Sequence, residues 1–111
     1  MNTVSKLNFK APPLKSPAPP KHLGRPEQRL WREIVDAYRF DDAAALTMLR
    51  TALESHHRAR QCRERIDKDG PAILDRWGQL KPHPLLAAER DARAALLSAL
   101  KALNLDLGVA S

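Results

Sequence analysis

From Asp41 to Asp69 the chain runs without a single glycine or proline, in a stretch rich in Ala, Leu, Arg and Glu. Asp41 or Asp42 supplies an N-cap carboxylate at its start, and Gly70-Pro71 stops it. The pattern predicts a helix of about 26 residues, roughly 39 Å long at 1.5 Å per residue. Such a rod exceeds the diameter of a small monomeric core, so the expectation is that copies assemble around it. Its halves differ. Leu46, Leu49 and Leu53, with Ala45 and Ala52, form an apolar stripe, whereas Arg58, Arg60, Arg63 and Arg65 dominate beyond His56-His57.

Two shorter helices are expected to flank the rod. Pro26 suits a first helical turn, where the missing amide costs nothing, and Glu27 there favours the helix dipole. Leu30, Trp31, Ile34, Val35 and Tyr38 then recur at helical spacing, giving a helix from about Pro26 to Arg39. Pro84 opens the last helix, with Leu85, Ala88, Ala92, Leu96, Ala99, Leu100 and Leu103 on one stripe to about Asn104. Leu86 and Leu97 fall off that stripe, so the apolar surface is broader than one partner helix requires. Between rod and last helix, Ile73–Trp77 and Leu80–His83 suggest a short hairpin or ordered loop. Gly78 suits its turn, and Pro82 restricts the second arm to a sheet edge. Trp77 is read as capping the end of the helical core. The fold class is mainly α, with 111 residues enough for one domain.

The N-terminal region differs in kind. Pro12, Pro13, Pro17, Pro19 and Pro20 forbid a continuous helix, and Lys6, Lys10, Lys15, Lys21 and Arg25 occur with no acid before Glu27. Residues 1–25 therefore read as a disordered basic arm, 26–107 as the helical domain and 108–111 as a flexible tail. The arm holds five of the six net positive charges. Polyanions are the natural partners of such a balance, because phosphate binding releases counterions. An anionic membrane surface or solubility alone accounts for it equally well. No apolar run approaches the ~20 residues of a membrane span, and the N-terminus lacks the pattern of a signal peptide. With Cys62 the only cysteine, the expectation is a soluble intracellular protein.

Catalytic motifs are missing. No glycine-rich phosphate loop, Gly-x-Ser-x-Gly elbow, CxxC or HExxH spacing occurs. His22, His56, His57 and His83 read as solvated or packed, and Asp67 and Asp69 as helix-end residues. No catalytic residue, metal or cofactor is assigned. The positive feature is the cluster Arg58, Arg60, Arg63 and Arg65, with 60 and 63 neighbours on one helical face. It suits a phosphate backbone. It also suits a solvated helix end whose arginines offset the carbonyl dipole and pair with Glu54, Glu64 and Asp67. Lys15, Lys21 and Arg25 join it as candidate DNA contacts if the arm tracks phosphates; a plain tether is the other reading. Leu30, Trp31, Ile34, Tyr38, Leu46, Leu49, Leu53, Leu96, Leu100 and Leu103 are assigned to the core and to contacts between copies. The long second helix and the lack of a mid-turn glycine argue against a helix-turn-helix.

The order of landmarks is specific in combination. It runs from a helix centred on Trp31, through the rod from Leu46 and Asp69-Gly70, to Lys81-Pro82-His83-Pro84-Leu85. Glu89-Arg90-Asp91-Ala92-Arg93 and Leu100-Lys-Ala-Leu103-Asn-Leu105 complete it. Over about residues 20–107 this resembles a family of phage terminase small subunits. The resemblance implies a helical, non-enzymatic homo-oligomer, often a ring, acting in the host cytoplasm. It implies recognition of double-stranded viral DNA and its delivery to a large subunit holding the ATPase and nuclease. The end departs from the family pattern, which often has Leu-Gly-Leu followed by Thr-Pro; here it reads Leu103-Asn104-Leu105-Asp106-Leu107. Two other readings remain open: a protein-only helical adaptor, whose behaviour would be insensitive to DNA, and a metal-dependent nuclease, which would cleave DNA when given Mg²⁺ or Mn²⁺.

Overall fold

A computed structural model describes residues 16–40 and 42–105. The order is α1 (Arg25–Tyr38), α2 (Ala43–Asp69), β1 (Ala72–Leu74), β2 (Leu80–Pro82) and α3 (Leu85–Ala102). Asp41 lies outside the described residues, and Asp42 is the cap of α2: its carboxylate accepts from the Ala45 amide at 2.7 Å. Gly70 ends the helix, its amide donating to the Ile66 carbonyl. Asp42→Ala is expected to cost about 1 kcal/mol, read as a fall of roughly 4–8 °C in thermal midpoint by circular dichroism.

α2 is the spine, and α3 folds back antiparallel along it. His83 meets Asp69 where the spine ends, Glu89 meets Arg63 further in, and Leu103 reaches the cluster around Leu49 and Leu53. α1 lies across the first half, where Leu23, Trp31, Val35, Leu49 and Leu53 form the core, flanked by Leu30, Ile34, Phe40, Leu46 and Leu103. Along the second half Ala59, Cys62 and Ile66 are buried, with Ala92 on α3. One chain therefore covers the inward side of the spine from Leu49 to Ile66. The length of the rod alone does not require a second copy, because α3 packs along its inward side and α1 adds to the cover of the first half.

Leu96 and Leu100 are half-buried, as are Leu30, Ile34, Leu46 and Leu103. Tyr38 is 37 % exposed, because α1 ends there and Phe40 from the connection packs on the cluster instead. Trp77 caps nothing: it is 74 % exposed at the turn of the hairpin, whose axis carries it away from the helices. That hairpin is antiparallel, with Ala72 opposite Pro82, Ile73 opposite Lys81 and Leu74 opposite Leu80. Its turn is closed by the Asp75 carboxylate, which accepts from the Trp77 and Gln79 amides at 2.8 and 3.0 Å. Gly78 takes the left-handed φ of 78° that this turn needs.

The segment before α1 is docked rather than loose from Ser16 onward. The Trp31 indole donates to the Pro17 carbonyl at 2.9 Å, Gln28 donates to the Leu23 carbonyl at 2.8 Å, and Leu23 is buried. Proline excludes helix here, as the sequence implies, but an extended strap still buries a leucine and satisfies an indole. Residues 1–15, and the tail at 108–111, lie outside the described residues.

Candidate nucleic-acid interface

The arginine cluster on α2 is the first candidate, and the structure separates its members. Arg60 grips Glu27 with two hydrogen bonds, Nε to Oε2 and Nη2 to Oε1, both 2.9 Å, while Nη1 donates to Glu64 at 3.0 Å. Arg63 grips Glu89 the same way at 3.1 and 2.6 Å and reaches Asp67 at 3.3 Å. Arg65 donates to Asp69 at 2.8 Å. Arg58 alone is exposed with no carboxylate partner among the described residues. Two-point guanidinium–carboxylate pairs are among the stronger polar contacts, so Arg60 and Arg63 act as clamps that hold α1 and α3 to the spine.

Glu27 is the centre of the tighter clamp. Its side chain is wholly buried, and His56 Nδ1 lies 2.6 Å from Oε2 beside the two bonds from Arg60. Burial pushes its carboxyl up, but the hydrogen bonds from Arg60 and His56 outweigh burial and hold the pKa at about 2. His57 Nδ1 is 3.2 Å from the same carboxylate, yet the Gly24 amide at 3.3 Å and Arg60 Nη2 at 3.1 Å also face it. One ring nitrogen cannot accept and donate together; two donors converge on it, so His57 accepts. The strap passes so close that a Cβ on Gly24 would collide with the Arg60 guanidinium and Glu27 Oε1. A larger residue there would have to displace the side chains of the clamp.

Glu89 is likewise held low, first by Arg63 and then by Arg93, and Asp69 by His83 and then Arg65. Among the described residues, no group of three His, Cys, Asp or Glu side chains is placed to hold a metal.

Uncommitted positive charge lies elsewhere. On α1, Glu27, Trp31 and Val35 face inward. Arg25, Arg29 and Arg32, at intervals of four and three, fall within about 60° of one another, turned about 125° from that buried face. All three are exposed and meet no carboxylate among the described residues. With Gln28, Glu33 and Asp36 they line a shallow surface groove. Asp36 accepts from Ser16 Oγ at 3.1 Å, so the strap returns to this same side of α1. Exposed Lys21 rides on the strap, which a His22–Glu54 contact of 2.7 Å also ties to α2. Arg25 and Lys21 were candidates from the sequence; Arg29 and Arg32 were not. Their signal was present as a cationic i, i+4, i+7 row off the apolar stripe. Lys15 lies outside the described residues.

Comparison with known proteins bears on this arrangement. The chain matches the family described as "Phage terminase, small subunit" over residues 28–107. It belongs to the family of phage terminase small subunits. The matched span includes most of α1, all of α2, the hairpin and α3, and leaves out the strap. No curated protein and no solved structure matches the chain. The general role of a terminase small subunit is in phage DNA packaging, as a regulatory chain that is generally not itself the enzyme. No helix among the described residues is long and apolar enough to cross a membrane.

Proposed function

We propose that this terminase small subunit binds double-stranded viral DNA through the outer face of α1 and presents it to the large ATPase and nuclease subunit in the host cytoplasm. The observation that carries this reading is the row Arg25, Arg29 and Arg32, exposed and without carboxylate partners, beside a strap that brings Lys21 to the same helix. Arg58, on the side of α2 that faces α3, and Lys15, outside the described residues, are further candidate contacts. These groups suit phosphate contact, which fixes position on a duplex without reading its sequence. Arg60 and Arg63 are left out, since each spends two donors on a buried acid, and Arg65 because it pairs with Asp69 through Nε. A homo-oligomer, in the form of a ring, would repeat the row, so that weak contacts act together through effective concentration. The exposed side of α3, with Leu97 66 % exposed, is the surface offered to a neighbouring copy.

A gel-shift titration in salt tests the reading. With six phosphate contacts engaged, the logarithm of the affinity should fall by about five per tenfold increase in salt. Absence of salt-sensitive binding at low ionic strength would exclude DNA as the ligand.

A further inference from the structure

The hairpin presents its apolar side to solvent. Leu74 and Leu80 are directly opposed, and Ala72 and Pro82 stand two residues along on the same face. All four are exposed, Leu74 at 64 % and Leu80 at 73 %, and Trp77 extends the patch at the turn. Alternation normally turns such a set toward a core. Here the half-buried residue is Ile73, on the other face. A contiguous exposed apolar patch of this kind marks a contact surface.

The backbone edge is open as well. The His83 amide donates to the Pro71 carbonyl and the Asp75 amide to the Gln79 carbonyl. In an antiparallel ladder this makes Ile73–Lys81 the next hydrogen-bonded pair, so the amides and carbonyls of Ala72 and Leu74 point outward. β2 is the poorer edge, because Pro82 has no amide to offer. Two strands of three residues each are marginal by themselves, and a third strand along β1 would satisfy the outward groups.

Charge selects the occupant. Lys81 on β2 and Lys68 in the last turn of α2 have no carboxylate partner among the described residues, and Arg76 lies 4.8 Å over the Trp77 ring. The only acid of the hairpin, Asp75, is taken up by the turn. A second copy brings the same basic hairpin, Arg76 and Lys81 against the single acid Asp75. We propose that the β1 edge and its apolar face bind an extended, leucine-rich acidic segment of a different protein, added as a third strand. This rests on the hairpin alone, independently of DNA contact by α1.

Trp77 is a built-in reporter, since Trp31 is buried. In the full chain, acrylamide should quench Trp77 freely. A synthetic peptide alternating Glu and Leu should shield it and shift its emission to the blue, while a Lys/Leu peptide should not. Leu74→Ser/Leu80→Ser should weaken peptide binding at least tenfold with an unchanged circular dichroism spectrum and unchanged DNA binding. The proposal is overturned if Trp77 is already shielded in the protein alone, which means a second copy covers it. Shielding by duplex DNA, or no shielding by the Glu/Leu peptide, overturns it too.

Discussion

Glu27→Ala is expected to destabilise the fold by about 3 kcal/mol, the lower end of what breaking a buried ion pair costs. The carboxylate is fully buried and takes both Arg60 bonds and the His56 contact. Its loss leaves a largely buried guanidinium with only Glu64 to face. Urea titration followed by circular dichroism measures it. Glu27→Gln, which still offers one acceptor, should fall between the two. Acid gives an independent reading of the same clamp. The folded pKa of about 2 lies below the ordinary 4.5, so the unfolded chain binds the proton first as pH falls. The contribution is therefore complete above about pH 4.5 and is lost as pH drops toward 2. The 2.5-unit gap corresponds to about 3 kcal/mol, in agreement with the substitution estimate. Glu89 and Asp69, also held low, lend stability of the same sign, so the difference between wild type and Glu27→Gln isolates the clamp. Equal acid sensitivity of the two proteins would show that folding does not lower the Glu27 pKa.

Changing Arg25, Arg29 and Arg32 together to alanine is expected to reduce the salt dependence of DNA binding by about 2.7 in log–log slope, three contacts at about 0.9 each. Glutamate at the same three positions should abolish binding. Neither set should alter the helical signal, because these side chains are exposed and off the buried face of α1. Arg60→Ala should do the reverse, lowering stability while leaving the slope of the folded protein unchanged. A slope unaffected by the α1 triple and reduced by Arg60→Ala would return the interface to α2.

The helices were legible in the sequence because their boundaries are set by local chemistry. Asp42 caps, Gly70-Pro71 stops, and Pro26 and Pro84 sit at helix starts. The hairpin was legible from Gly78 and Pro82. What lay beyond local pattern was pairing at a distance. Glu27 reads as an ordinary first-turn acid, and nothing near it announces that Arg60, thirty-three positions away, will bury it. The same holds for Arg63 and Glu89. For Arg58, Arg60, Arg63 and Arg65 the sequence left phosphate contact and pairing with Glu54, Glu64 and Asp67 both open; the Glu64 and Asp67 pairs form, and the distant acids on α1 and α3 add to them. The row on α1 was readable by spacing, but it is interrupted in sequence by the core residues between its members. Trp77 misled because large aromatics are usually buried, and only the fold reveals that its hairpin leaves the helices.

The clamp at Glu27 also determines how α1 can sit. Grease tolerates small slips of a helix along its neighbour, since one leucine contact can replace another. A carboxylate that must meet a guanidinium through two bonds does not, so it works as an indexing pin for the helix. Turning α1 by a single residue, about 100°, would strand that acid and swing the outward arginines round by the same angle. The inner face therefore aims the outer one, and whatever docks there meets the same three side chains at a repeatable bearing in every copy.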